Sequence, residues 1–190
     1  MKCIRKFLLF ILFFEIALFF FSCKDDILEP IKVTPGTFTD TRDGRIYKTT
    51  TINNYTWLAE NLDFAIDSGS CYYDNDSINN KIYGHYYNWQ ASQIAIPEGW
   101  HLPNYDELNY LKITFGGGYE VARQLGNKGY SGLEINSSGF YSADSSQFVN
   151  CPPSYWCENN NIWVLWYYAL TWQKDDSLEN RYTIRCVKNN

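Results

Sequence analysis

The chain has 190 residues, with 16 Lys and Arg against 21 Asp and Glu and a net charge of −5. Residues 1–22 hold three of the bases and one of the acids, so the remainder stands at −7. That balance excludes the basic face that nucleic acid requires. Aromatic residues make up 18%, including 7 Trp and 16 Tyr, which implies an aromatic-cored β-rich fold, a surface that binds by stacking, or both.

Lys2, Arg5 and Lys6 precede an apolar run from Phe7 to Phe21, broken only by Glu15. The run is shorter than the about 20 residues of a membrane span and has the layout of a secretory signal. It ends Phe20-Phe21-Ser22-Cys23, which resembles a bacterial lipobox with Phe20 where Leu is usual. The resemblance implies that residues 1–22 are a lipoprotein signal peptide and that Cys23 is acylated, with two or three chains giving a stable membrane anchor. An uncleaved N-terminal anchor is the alternative, and Glu15 argues against it. Lys24-Asp25-Asp26 looks like the acidic export tag of Bacteroidota surface lipoproteins. That implies an outer-membrane protein facing the medium, although the same charges also suit the solvated start of a tether. Residues 23–37, with Pro30, Pro35 and Gly36, read as that tether. About 150 residues are left, enough for one domain with its own core.

Phe38–Thr41 and Arg45–Ile52 flank Asp43-Gly44, a hairpin pattern. Asn53-Asn54 is a second turn, and Tyr55–Leu62 an extended segment. Residues 66–82 read as a long polar loop. Its Asp74, Asp76 and Asn79 offer oxygens of the kind calcium takes. The spacing is not that of an EF-hand, and the same side chains equally serve to cap turns. Tyr86–Ala95 reads as a helix with Tyr86, Trp89 and Gln93 on one side. Asn104 and Glu107 form a capping-box pattern ahead of an apolar stripe at Leu108, Leu111 and Phe115. Gly116-Gly117-Gly118 ends that helix, and Glu120–Leu125 reads as another. Ile162–Trp172 is apolar on both faces, as for a strand buried on both sides, which assigns Trp163, Trp166 and Trp172 to the core. Arg181–Val187 alternates as the last strand.

In an exported domain, Cys71, Cys151, Cys157 and Cys186 are disulfide candidates. Three connectivities are possible, and Cys151–Cys157 closes most easily. No metal-ligand spacing involves these cysteines.

The segments FTDTRDGRIYKTTTI, TWLAENL, CYYDNDSINNKIYGHYYNW, PEGWHLPNYDEL and IRCVK together resemble the Fibrobacter succinogenes major paralogous domain, over residues 38–188. PEGWHLPNYDEL also resembles the helix start of formylglycine-generating enzymes, and the closing Arg-Cys-Val the last strand of C-type lectin-like domains. The resemblance implies an α+β, C-type lectin-like fold over 38–190: two helices packed on a small, twisted, mostly antiparallel sheet, with the termini close together. Family members usually carry a Cys where Ile96 stands, the expected partner of Cys186, and often another near Asn80. Cys71 and Cys186 therefore either pair with each other or stay free.

Few residues suggest catalysis, and no cofactor is expected. His101 lies in the GWHLP turn, where a hydrogen bond would hold the turn. Asp106 and Glu107 complement a helix dipole, and no nucleophile-elbow motif occurs. Resemblance to formylglycine-generating oxidases raises one enzymatic alternative, a copper-dependent thiol oxidase using Cys151 and Cys157. Binding of a glycan or protein is the better-supported expectation. The long loop from Asn136 to Asn161 carries Tyr141, Tyr155 and Trp156, which either stack on a ligand or, for Trp156, fold back onto the core. Ser77 and Ser177 lie in Asp-Ser-aliphatic triplets resembling the Bacteroidota O-glycosylation sequon.

Overall fold

The computed structural model describes residues 30–136 and 139–190, with only the backbone of Asn80. The signal peptide and the lipidation site at Cys23 lie outside them. Among the described residues no helix is long and apolar enough to cross a membrane.

The folded body is α+β and begins at Ile31. Four antiparallel strands form its first sheet: β1 (Val33–Thr39), β2 (Ile46–Ile52), β3 (Tyr55–Leu58) and β11 (Val187–Asn189), in the order β1-β2-β3-β11. The first hairpin follows the sequence reading. Asp40 N donates to Arg45 O at 2.8 Å, and Gly44 takes a positive φ of 75°, which costs little without a Cβ. Arg42 clasps the turn from outside, bonding Asp40 Oδ2 at 2.6 Å and Ala95 O at 2.7 Å. The tether boundary needs correction, because β1 starts at Val33 and pairs with Ile52. Pro35 is tolerated there because β1 is the edge strand of the sheet and its outer side needs no N–H.

The extended segment after β3 stops being a regular strand at Leu58 but keeps bonding: Leu62 N donates to Ile184 O at 3.0 Å. The polar stretch that follows holds β4 (Ser70–Cys71) and a four-residue helix, α1 (Asn80–Tyr83). Tyr86 and Tyr87 form a short strand, β5, paired with β4, so the expected helix starts later. Its first turn is set by Asn88, whose side chain accepts from Ala91 N, and α2 spans Trp89–Ala95.

Helix α3 (Tyr105–Thr114) carries the expected capping box. Asn104 Oδ1 accepts from Glu107 N, and Glu107 Oε2 from Asn104 N, both at 2.9 Å. Leu108, Leu111 and Phe115 are buried. Gly117 and Gly118 have positive φ and lead into α4 (Gly118–Leu125). The segment from 136 to 161 is not a single loop. It contains β6 (Phe140–Ser142), β7 (Gln147–Val149) and β8 (Ser154–Cys157).

β8 joins β9 (Asn161–Trp166) and β10 (Ala169–Lys174) in a sheet ordered β10-β9-β8. The apolar run Ile162–Trp172 is therefore a hairpin turning at Tyr167-Tyr168, and not one strand. Its β9 half has the expected burial on both faces. Trp163 and Leu165 belong to one core cluster, with α3 and α4; Ile162 and Val164 belong to a second, with α2. Trp163 is fully buried, but Trp166 and Trp172 keep 46% and 45% of their surface exposed, correcting their assignment to the core. Trp166 lies past the twice-covered part of β9, and Trp172 lies on the edge strand β10, opposite Trp163. The last segment bonds largely through isolated bridges, Arg181 to Tyr141, Tyr182 to Tyr87 and Thr183 to Tyr155, before β11 closes the first sheet. Within it Arg185 is buried, donating to Asn61 Oδ1 at 2.5 Å and Leu133 O at 2.8 Å.

Candidate functional site

Two of the three ring candidates for stacking are internal. Tyr155 and Trp156 are both 0% exposed. Tyr155 stacks on Trp163, with centroids 4.4 Å apart, and Trp156 Nε1 donates to Tyr87 O at 2.6 Å. Tyr155 faces one core cluster and Trp156 the other, so both faces of β8 are covered and neither ring can meet a ligand. Tyr141 is half-buried in β6, under the guanidinium of Arg181 at 5.0 Å and edge-on to Phe148. The structure brings none of the three together as an exposed platform.

The cysteine expectations also change. Cys71, Cys157 and Cys186 are free thiols in the structure, which forms neither the Cys151–Cys157 nor the Cys71–Cys186 bridge. Cys157 and Cys186 are buried in different core clusters, where each acts as a small apolar side chain. Burial pushes the Cys157 thiol up to about 12 and raises that of Cys186 as well. Cys151 bonds locally, 3.3 Å from Pro152 O, and burial raises its thiol too. Thiol oxidation by copper needs accessible thiolates, and Cys157 is 3% exposed.

Asp76 Oδ1 accepts from Ile78 N at 2.9 Å, and Asn79 Nδ2 donates to Tyr73 O at 3.1 Å. These are turn-capping bonds, and Asp74 is exposed beside them. Among the described residues no group of three or more His, Cys, Asp or Glu side chains is placed to hold a metal. Ser77 is exposed and Ser177 half-buried.

Both histidines are tied to buried carboxylates. His101 Nε2 bonds Glu107 Oε1 at 2.7 Å, while its backbone bridges Val187. His101 thus holds the GWHLP turn to α3 and to β11. His85 Nδ1 bonds Asp63 Oδ1 at 2.6 Å, and Asp63 also pairs with Arg45.

Two open cavities of a size for ligands bear on the site. The larger, about 690 Å³, lies under the GWHLP turn and is lined by Trp89, Gln93, Glu98, His101, Asn104 and Glu158, among others. Trp100 floors it, but its ring is already covered by Phe38 at 5.0 Å and by the ammonium of Lys188 at 5.0 Å.

The second cavity, about 340 Å³, runs between α4 and Pro152-Pro153 and ends at Trp166 and Tyr167. Here the rings are open. Tyr167 and Tyr168 are 65% and 71% exposed, and Tyr119 is half-exposed. The rings are also fixed. Trp166 Nε1 donates to Thr171 Oγ1 at 3.1 Å, and Tyr119 packs edge-on against Tyr167 with centroids 5.1 Å apart. At the other end of β10, Tyr105 covers Trp172 at 4.0 Å. Sequence reasoning missed this platform because it extended one buried strand across it. The length of the run was the available signal, since its 11 residues exceed the usual strand of about 5–6.

No curated protein and no solved structure shows significant similarity to the chain. Residues 50–188 match the Fibrobacter succinogenes major domain. This covers the body from β2 to β11, including the GWHLP turn, the capping box and the terminal Arg-Cys-Val. The chain belongs to the Fibrobacter succinogenes major domain family.

Proposed function

We propose that this protein is a lipid-anchored component of the outer cell envelope whose single lectin-like domain binds a glycan or protein ligand without transforming it. The observation that carries the reading is the exposed aromatic tip of the β9–β10 hairpin. Trp166, Tyr167 and Tyr168 project together, backed by Tyr119. Monomeric domains rarely leave grouped large rings in water unless something covers them, and rings held in one orientation bind at low entropic cost.

The lectin-like assignment is supported by the last strand, β11, returning to the sheet that opens the body, which brings the two chain ends of the domain to one sheet. The envelope location is supported by the signal-like run before Cys23. A non-catalytic role is supported by the burial of His85, which at 3% exposure is closed to a substrate.

Binding of the purified full-length chain and its Trp166→Ala and Tyr167→Ala variants to glycan and peptide arrays tests the reading. Retention of a ligand that both variants lose is the expected result. Equal behaviour of all three proteins on every feature would leave a purely structural envelope role. Mass spectrometry of the mature N-terminus, with surface labelling of intact cells, tests the anchor separately: acyl chains on Cys23 are expected.

A further inference from the structure

We infer that the groove between α4 and Pro152-Pro153 binds a neutral saccharide, stacking a sugar ring on Trp166. This assignment rests on the ligand-binding reading above and narrows it to one ligand class and one subsite.

Charge is the first argument. From Asn161 to Gln173, NIWVLWYYALTWQ, the hairpin contains no acidic or basic side chain. Arg123, the charged residue lining the groove, is already paired with Glu120 at 2.8 Å. A charged ligand would find no free counter-charge there, whereas an uncharged one faces no penalty.

Size is the second. About 340 Å³ is near the lower end of the roughly 300–1,000 Å³ of small-ligand pockets. It admits a ring or two and not the flat area of a folded protein partner.

Chemistry is the third. Trp166, Tyr167 and Tyr119 offer apolar faces, while the hydroxyls of Tyr119 and Tyr167 and the Arg123 guanidinium supply polar groups at the rim. A pyranose matches this arrangement, with C–H bonds on its faces and hydroxyls around its edge. The walls are stiff as well. Pro152 and Pro153 have restricted backbones, Pro153 O accepts from Leu165 N at 3.0 Å, and the indole is locked by Thr171. Little ordering is left to be done on binding.

The test uses the purified full-length chain with suspensions of cellulose, chitin and starch, an acidic polysaccharide, a proline-rich peptide resin and phosphatidylcholine vesicles. Depletion from the supernatant is measured for wild type, Trp166→Ala, Trp166→Phe and, as an exposed control away from the groove, Ile94→Ala. Circular dichroism melts confirm that the variants fold. The expected result is retention by at least one neutral polysaccharide, weakened about three- to tenfold by Trp166→Ala and largely restored by Trp166→Phe, with Ile94→Ala equal to wild type. No retention by any neutral polysaccharide, or retention that Trp166→Ala leaves unchanged, overturns the assignment. Trp166-dependent capture by the peptide or the vesicles alone also overturns it, but leaves a ligand-binding tip in place. If Trp166→Ala matches wild type on every probe, the broader reading fails too.

Discussion

The indole nitrogen of Trp156 donates to the backbone carbonyl of Tyr87 at 2.6 Å, fastening β8 to β5 inside the second core cluster. The ring also meets Trp89 and Tyr182 edge-on, at 5.3 and 4.8 Å. Truncation removes both the packing and the donor. Trp156→Ala should lower stability by about 3–5 kcal/mol, and Trp156→Phe by less, mostly through the stranded Tyr87 carbonyl, about 1–3 kcal/mol. Urea unfolding followed by circular dichroism measures both. A change under 1 kcal/mol for Trp156→Ala would contradict its placement in the core.

Asp63 is the hinge of a buried polar network. Its carboxylate pairs with Arg45 and bonds His85, and its backbone N–H donates to Tyr47 Oη at 3.1 Å. Tyr72 covers the imidazole at 4.4 Å. Asp63→Ala leaves an arginine and a buried imidazole without their acceptor, and should cost about 3–5 kcal/mol. Asp63→Asn keeps an acceptor and should cost less. The ordering of the two melting temperatures decides the matter.

Alkali should destabilise the fold before the surface tyrosines matter. Burial raises the thiol of Cys157 from 9.0 to about 12. Burial likewise raises Cys186, Tyr47, Tyr86, Tyr87 and Tyr182 above their ordinary values. Above pH 9 the unfolded chain releases these protons while the folded chain keeps them, so stability falls as pH rises. For Cys157 the loss runs at about 1.4 kcal/mol per pH unit between its unfolded and folded values. Unfolding free energies at pH 8, 9, 10 and 11 should decline with increasing slope, and Cys157→Ala should flatten the early part of that decline.

The core thiols should resist modification. With Cys157 at 3% and Cys186 at 0% exposure, a maleimide should label Cys71 in the native protein and reach the other two only in denaturant. Peptide mapping by mass spectrometry reads this out. A Cys151–Cys157 disulfide peptide in the native protein would refute the arrangement.

Local signals in the sequence proved reliable wherever a few adjacent residues decide the structure. Asp43-Gly44 and Asn53-Asn54 turn the chain, and Asn104 with Glu107 starts α3, because the bonds that form these features span no more than five residues. Burial was harder to read. Trp156 and Trp166 are the same residue type in neighbouring apolar stretches. One is sealed by α2, β5 and the final segment, and the other projects past them. That difference depends on the Tyr167-Tyr168 turn, which lacks glycine or asparagine to mark it. The cysteine spacing misled for a similar reason. Five residues between Cys151 and Cys157 allow a bridge, but β8 carries Cys157 inward beneath α3 and α4.

β9 is gripped from both sides along Ile162–Leu165, and this separates two jobs within one hairpin. Substitutions at positions 166–168 alter what the molecule displays without disturbing what keeps it folded. Three tip residues can therefore be rewritten while the strand that carries them stays clamped.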